Sequence, residues 1–139
     1  MDKRDPFVNT SMGIGQCMRT CFDDYGVRKF IIGSGGSAFS DGGFGAVRAM
    51  NVFDFKTKNG DKIGGNAYFP FGQVMDVQSA ELIDREFVEQ TEVLLPCDVT
   101  SPLLGPQGAA HVFGPQKGAQ PNDLDRLDKS IEHIIRVYL

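Results

Sequence analysis

A glycine-rich segment at residues 33–43 carries the first pattern that could do chemistry. Its sequence is GSGGSAFSDGG, so eleven positions hold five glycines, three serines and one carboxylate. Glycines leave backbone N–H groups uncovered, and hydroxyls at a helix N-terminus add further donors for an anion. We therefore predict that Gly35, Gly36 and Ser37 bind phosphate or carboxylate oxygens. The alternative is a flexible turn that needs positive φ.

Asp41 is the one carboxylate in this segment. A carboxylate beside a bound phosphate is repelled unless a metal ion or a transferring proton uses it. We therefore predict that Asp41 is a general base or a Mg²⁺ ligand. The alternative is that it caps the helix behind the loop, a position that aspartate favours.

A second polar segment, residues 97–119, contains the sequences CDVTSPLLG and FGPQKGA. Asp98 follows a predicted strand, where a carboxylate could hold a metal ion or a substrate hydroxyl, and Lys117 could place a positive charge on a phosphate or carboxylate. A turn-capping aspartate and a solvated surface lysine are the alternatives. A third turn, before the first predicted helix, offers the hydroxyl of Ser11. Three such turns indicate a small, polar, anionic ligand.

Two nucleotide-binding patterns compete with this interpretation. The spacing Gly33-x-Gly35-x-x-Ala38 matches the dinucleotide fingerprint, and Asp54 lies about 20 residues further on, where an acid would bind the ribose. However, a helix and a strand precede this loop, and a predicted hairpin follows it where a crossover helix should stand. No Gly-Lys-Ser/Thr triplet occurs, so the Walker pattern is absent.

The elements that must position these residues follow from hydrophobic periodicity and turn residues. The Asn-Gly pair at residues 59–60 predicts a β-hairpin. The patterns also predict helices at 14–25, 46–50, 80–88 and 121–138, and short buried strands at 30–32 and 93–95. Interleaved helices and strands favour a layered α/β fold with a mixed sheet, in which ligands gather at the C-terminal ends of strands. No linker interrupts residues 1–139, so we expect a single α/β domain.

Composition narrows the function classes. A net charge of −4 disfavours general nucleic-acid binding, and no apolar run is long enough to span a bilayer. No secretory signal opens the sequence, and an odd number of cysteines, three, fits a reducing compartment. We therefore expect a cytoplasmic protein with a small-molecule ligand, without nucleic-acid or membrane partners; a homo-oligomer stays open.

These segments resemble motifs of the type I glycerate kinases, an ATP-dependent family found widely in bacteria. Residues 33–43 are similar to the family's Gly-Ile-Gly-Gly-Ser-Ala-Thr-Asn-Asp-Gly-Gly, with Ser34, Phe39 and Ser40 at the differing positions. Residues 97–105 and 112–119 resemble Cys-Asp-Val-x-Asn-Pro-Leu-x-Gly and Val-Phe-Gly-Pro-Gln-Lys-Gly-Ala. The matches follow the family's order along nearly the whole chain.

The resemblance implies transfer of phosphate from ATP, with Mg²⁺, to a hydroxyl of D-glycerate. It implies that Gly35, Gly36 and Ser37 hold anionic oxygens, that Lys117 neutralises charge and that Asp98 orients the substrate or Mg²⁺. Family members resemble a flavodoxin-like domain interrupted by a second α/β domain, and this chain corresponds mainly to the inserted one. The family's flanking Asp-Gly-Gly-Glu-Gly and Pro-Gly-Ala-Gly segments are not found here. We therefore expect the chain to be an internal part of a longer two-domain kinase. The alternative is a non-catalytic anion-binding or protein-interaction domain derived from such a kinase. A dinucleotide-binding domain is a lesser alternative.

Overall fold

The computed structural model describes residues 4–139, which form two small sheets and five α-helices. In chain order the elements are α1 (Met12–Tyr25), β1 (Lys29–Ile31), α2 (Phe44–Ala49), β2 (Phe53–Thr57), β3 (Lys62–Ile63), β4 (Val77–Leu82), α3 (Arg85–Gln90), β5 (Glu92–Leu94), α4 (Ala109–Phe113) and α5 (Leu124–Tyr138). Short 3-10 turns lie at Phe71–Asp76, Pro115–Lys117 and Pro121–Asp123. One sheet is the parallel pair β1–β5, and the other is antiparallel in the order β3-β2-β4. The mixed α/β class predicted from the sequence is confirmed.

The predicted hairpin is confirmed as β2 and β3. Phe55 pairs with Ile63, and the turn between the strands contains Gly60 at φ +85°. The N–H of Thr57 donates to the carbonyl of Asp61, which closes the turn. The Asn-Gly pair identified this turn because left-handed backbone is accessible there without strain.

The short helix predicted at residues 80–88 is confirmed only from Arg85 onward, and its first residues are wrong. The region contains strand β4, whose Ala80 pairs with Phe55, and then the short helix α3. The carboxylate of Asp84 accepts a hydrogen bond from the N–H of Phe87 and caps α3. The sequence signal failed because β4 gains its stability from pairing with β2, which a local pattern does not contain.

The main core forms where α5 packs on the antiparallel sheet. Leu127, Ile131 and Ile134 of α5 are at most 2% exposed, and they join Phe55 of β2 and Val77 of β4 in one cluster. Burying each of these side chains contributes about 1.5–3 kcal/mol. The amphipathic pattern at residues 121–138 therefore predicted this docking helix correctly.

Helices α1 and α2 cross at a distance that only glycine permits. A Cβ atom on Gly15 would lie 2.0 Å from the carbonyl oxygen of Ala46. A Cβ atom on Gly45 would likewise lie 2.0 Å from Thr10 Oγ1. The two glycines thus bring the turn before α1 against the first turn of α2.

The strands β1 and β5 form as predicted, but their predicted burial is wrong. Ile31 is 69% exposed, and Leu95, just after β5, is 62% exposed. Within residues 4–139 this sheet has two strands, so no further strand pairs with its outer edges. No helix in this part of the chain has the length and hydropathy of a membrane span.

Candidate anion-binding site

The parallel pairing of β1 with β5 brings the two glycine-rich segments to the same end of one sheet. Phe30 pairs with Val93, and Ile31 with Leu94. Residues 33–43 follow β1, and residues 97–119 follow β5, so both segments leave the C-terminal edge. This is the edge at which the strand pattern predicted a ligand.

Lys117 joins the two segments. Its Nζ donates hydrogen bonds to Ser37 Oγ at 3.1 Å and to the carbonyl oxygen of Phe39 at 2.6 Å. Lys117 lies on the 3-10 turn after α4, and Gly118 at φ +101° ends that turn. Residues 80 positions apart in the sequence are therefore in direct contact.

Lys117 is a half-buried cation with no ion pair among residues 4–139. Burial lowers the pKa of its ammonium group, and the negative charge of Asp41 partly opposes that shift. A half-buried ammonium bonded to two neutral oxygens keeps a strong attraction for an anion. The positive charge predicted at this position is thus partly desolvated and directed at the glycine-rich loop.

The backbone of the loop adds further donors. Residues 35–36 form a turn, and within residues 4–139 the N–H groups of residues 34–36 and 38–40 form no hydrogen bond to the protein. Gly36 has φ +68°, and nothing lies within 4 Å of the position that its Cβ would occupy. The loop therefore presents uncovered N–H groups next to a cation, which is the arrangement of an anion-binding cradle.

One cleft of about 300 Å³ contains five of the seven residues predicted for the site. They are Gly35, Gly36, Ser37, Asp98 and Lys117. The rest of the wall consists of Ser34, Cys97, Val99, Phe113 and Gln116. Asp98 is exposed, so its carboxylate is available to water, a cation or a hydroxyl. The cleft thus combines a cation, hydroxyl and amide donors, and one free carboxylate.

Asp41 lies in a different environment, with 1% of its surface exposed. Its Oδ2 atom accepts hydrogen bonds from Ser11 N and Ser11 Oγ at 2.8 Å each, from Gly45 N at 3.1 Å and from Thr10 Oγ1 at 3.2 Å. Its Oδ1 atom accepts from Gly43 N at 3.1 Å. These contacts favour the helix-capping alternative, because the carboxylate closes the first turn of α2. The roles of base and metal ligand stay predictions.

Ser11 is the seventh predicted residue, and it belongs to the Asp41 cluster. It is 2% exposed, and its Oγ donates to Asp41 and accepts a 2.9 Å hydrogen bond from Ala46 N. The hydroxyl therefore links the start of α1 to α2. Its predicted contact with substrate is untested.

Asn9 and Thr10, which belong to the third turn predicted from the sequence, hold the loop in place together with Gly45, which the sequence did not single out. Asn9 Nδ2 donates to the carbonyl oxygen of Ala38 at 3.2 Å, which ties the N-terminal turn to the glycine-rich loop. The sequence signal for this link was the Asn-Thr-Ser run at residues 9–11, which we had predicted to be a turn with hydrogen-bond donors available to a ligand. The structure shows its polar side chains engaged with residues 38–46.

A magnesium ion suits Asp98 better than Asp41. Mg²⁺ prefers oxygen ligands and in phosphate sites often takes one or two carboxylates together with water and phosphate oxygens. Asp98 offers an exposed carboxylate, whereas all the hydrogen bonds that reach Asp41 come from N–H and O–H donors, which a cation would have to displace. In the described part of the chain, no group of three acidic, histidine or cysteine residues is arranged to hold a metal by itself.

The topology does not support a dinucleotide site. Asp54, the predicted ribose-binding acid, lies on β2, which belongs to the antiparallel sheet and does not pair with β1. Its carboxylate pairs with Lys62 of β3. A dinucleotide fold would require the strand after α2 to run parallel to β1 in one sheet.

Comparisons with known proteins agree with the motif resemblance. The chain matches the model of the glycerate kinase family over residues 1–138. It is 35% identical over 136 residues to a glycerate kinase of Haemophilus influenzae, 38% over 137 residues to one of Bacillus subtilis, and 37% over 136 residues to glycerate 2-kinase of Escherichia coli. These matches cover 98%, 96% and 98% of this chain but 35%, 34% and 34% of the relatives.

A solved structure gives the same result. The crystal structure described as glycerate kinase 2 from Salmonella typhimurium LT2 is similar with a TM-score of 0.83 at 36% identity. The match covers 97% of this chain and 35% of that chain. This chain therefore spans about a third of the length of the relatives that it matches.

Proposed function

Because the chain belongs to the glycerate kinase family, we propose that it supplies the anion-holding part of a site that transfers the γ-phosphate of ATP to a hydroxyl of D-glycerate. The observation that carries this proposal is the contact of Lys117 with Ser37 and Phe39, which joins two separate glycine-rich segments into one cradle. Phosphoryl transfer depends mainly on positioning and charge neutralisation. The residues of the cradle are of the types that these tasks need.

The five predicted residues that line the cleft have proposed roles. Lys117 neutralises an anionic oxygen of the phosphate or of the glycerate carboxylate, and the N–H groups around Gly35 and Gly36 donate to the same group. Ser37 accepts a hydrogen bond from the Lys117 ammonium group, and its hydroxyl is the third proposed donor to the bound anion. Asp98 orients the attacking hydroxyl and accepts its proton, or holds the metal ion that accompanies ATP.

Asp41 and Ser11 act on this cleft through the loop that they hold. Asp41 fixes residues 43–45 at the start of α2, and residues 33–40 lead directly into that turn. When bound, Mg²⁺ with ATP supplies charge neutralisation on the transferred phosphate. We propose Asp98 as the carboxylate of this chain that faces such an ion, and we keep Asp41 as the catalytic prediction to be tested by mutation.

The isolated 139 residues should show no appreciable turnover with ATP and D-glycerate. The chain spans about a third of its relatives, so a cleft formed by the whole kinase is incomplete here. A coupled ADP-release assay on the isolated chain checks this expectation, and substantial turnover would contradict it. We expect the complete enzyme to be cytoplasmic, with ATP and D-glycerate as its small-molecule partners.

The decisive experiment places Lys117→Met in two contexts. In the isolated chain, calorimetry should show that the variant loses binding of D-glycerate and inorganic phosphate. In a chimera in which this chain replaces the matching segment of the Haemophilus influenzae enzyme, kcat/KM should fall by about tenfold to a thousandfold, as expected when a charged contact to a transferring group is lost.

Lys58→Met is the matched control, because Lys58 is exposed on the hairpin turn, in the other sheet. It should leave binding and turnover unchanged. Equal effects of the two substitutions would refute a specific role for Lys117. Loss of phosphate binding without any change of turnover in the chimera would favour the second candidate, a non-catalytic anion-binding domain derived from such a kinase.

A further inference from the structure

We infer that the parallel pair β1–β5 and the apolar cleft beside it form the docking surface for the flanking polypeptide of a complete glycerate kinase. The inference rests on family membership and on the shape of this chain, and it does not require catalytic activity. We call this surface the β1–β5 face; it includes both sides of the strand pair and is defined by Phe30, Ile31, Val93, Leu94 and Leu95.

Both sides of the parallel pair carry apolar side chains. Because Phe30 pairs with Val93 and Ile31 with Leu94, each pair projects to one side of the sheet. Ile31 is 69% exposed, and Val93 and Leu94 are each 43% exposed. Parallel sheets are normally covered on both sides and flanked by further strands. This pair therefore has the composition of the interior of a larger sheet.

An open cleft of about 650 Å³ lies on one side of the pair. Most of its wall is apolar and comes from α1, α2 and α3 as well as from the sheet: Ile14, Met18, Val47, Met50, Phe87, Val88, Val93 and Leu95. At one end the glycine-rich loop also lines it, through Gly35 and Ser37, which line the anion-binding cleft as well. No charged residue lines this cleft. Away from the glycine-rich loop, a charged glycerate or phosphate would therefore lose its hydration without gaining a cation. The cleft suits apolar side chains of another segment of chain.

The other side of the pair lacks the charge pattern of a recognition site for a charged partner. Lys29 and Glu92 neutralise each other across the strands, with Lys29 Nζ 3.0 Å from Glu92 Oε1. Ile31 and Leu94 lie next to this pair on the same side, because alternate residues of a strand share one side. What this side offers is an apolar surface and strand edges whose backbone groups can pair with another strand.

The size of the relatives identifies the occupant. The structural match covers 97% of this chain but 35% of the Salmonella kinase, at a TM-score of 0.83. About two thirds of that kinase therefore lie outside the part that resembles this chain. A segment of that length can supply both further strands for the edges of β1 and β5 and apolar side chains for the cleft. We assign the β1–β5 face to it in preference to a second copy of this chain.

Thiol labelling tests the assignment directly. In a background in which Cys17, Cys21 and Cys97 are replaced by serine, single cysteines are introduced as Ile31→Cys and Leu95→Cys. Tyr68→Cys is the matched control, because Tyr68 is 64% exposed and belongs to the segment after β3, outside the parallel pair and the cleft beside it. Each variant is labelled with a maleimide, first in the isolated chain and then in a chimera in which the chain replaces the matching segment of the Salmonella kinase.

The isolated chain should label at all three positions at similar rates. In the chimera, labelling at positions 31 and 95 should slow by about tenfold or more, as expected for a surface that becomes buried, whereas position 68 should not change. This readout does not need turnover, so an inactive chimera with protected cysteines would refute the proposed activity and leave the docking surface confirmed.

Four outcomes would overturn the inference. The first is equal labelling of positions 31 and 95 in the isolated chain and the folded chimera. The second is protection in the isolated chain that increases with its concentration, which would assign the face to a second copy. The third is protection of the isolated chain by ATP with Mg²⁺ or by D-glycerate, which would assign the cleft to a ligand. The fourth is a chimera without a cooperative melt, because a face shaped for this flanking chain should accept it.

Discussion

Asp41→Asn should destabilise the fold strongly, although the substitution keeps the size of the side chain. The carboxylate accepts five hydrogen bonds, four at Oδ2 and one at Oδ1. Asparagine has one acceptor oxygen, so its amide group would face either the N–H of Gly43 or the donors of Ser11 and Gly45. In either orientation a buried donor loses its acceptor.

The magnitude follows from these contacts. With the amide oxygen in the Oδ2 position, Gly43 N–H loses its partner, which costs about 1–3 kcal/mol, and the other bonds lose their charge assistance. Because neighbouring bonds are not additive, we expect a total loss of about 2–4 kcal/mol in the free energy of unfolding. For a chain of this length, that loss lowers Tm by roughly 6–12 °C.

Urea unfolding of the isolated chain measures this loss, with Asp54→Asn as the matched control. Asp54 undergoes the same chemical change, but its partner Lys62 is 68% exposed, and such surface pairs contribute about 0–1 kcal/mol. Combining Asp41→Asn with Ser11→Ala in a double-mutant cycle should give a coupling of about 0.5–3 kcal/mol, since the two side chains share a hydrogen bond. Equal destabilisation by Asp41→Asn and Asp54→Asn would refute the structural role.

The same variant separates that role from catalysis in the full-length chimera. If Asp41 is the base, kcat should fall by about two to four orders of magnitude at a temperature well below Tm, with a smaller change in KM. If Asp41 binds the metal, added Mg²⁺ should partly restore turnover. Turnover near that of the unmodified chimera would leave Asp41 with its structural role alone.

Three further predictions concern the glycines and Lys117. Gly36→Val should abolish phosphate binding measured by calorimetry, because Gly36 has φ +68° and a β-branched side chain disfavours that backbone conformation. Gly36→Asn should retain more of the phosphate binding, and equal binding by the two variants would contradict the prediction. Gly45→Ala should lower the urea midpoint strongly, since its Cβ would lie 2.0 Å from Thr10 Oγ1, while Gly13→Ala, with nothing within 4 Å, should be tolerated. Burial lowers the pKa of Lys117, so its positive charge is lost at a lower pH than that of an ordinary lysine. Phosphate affinity should therefore fall as the pH rises through that lowered pKa, and an affinity that stays constant over this range would contradict a role for the Lys117 charge.

The site could be predicted in part because its residues lie in short, distinctive segments. Gly35, Gly36 and Ser37 stand together in the sequence, and the structure places them in one cleft with Asp98 and Lys117. The sequence predicted a strand before each glycine-rich segment and ligands at the C-terminal ends of strands, whereas the parallel pairing that brings the two strand ends together is seen only in the structure. The division between this cleft and the Asp41–Ser11 cluster was not predictable, because the side of a loop that faces the core depends on what packs behind it.

The sequence by itself determined the elements whose stabilising pattern is local, and the family to which the chain belongs. Amphipathic repeats specified α1 and α5, the Asn-Gly turn specified the hairpin, and the order of the motifs specified the relatives. Only the tertiary structure decided that Lys117 contacts Ser37, that Asp41 is buried and that Ile31 is exposed. The physical reason is that the hydrophobicity of a side chain determines its tendency to be buried. Which segment buries it depends on contacts between residues that are distant in sequence. For β1 and β5, we infer that this segment is the flanking polypeptide of the complete kinase.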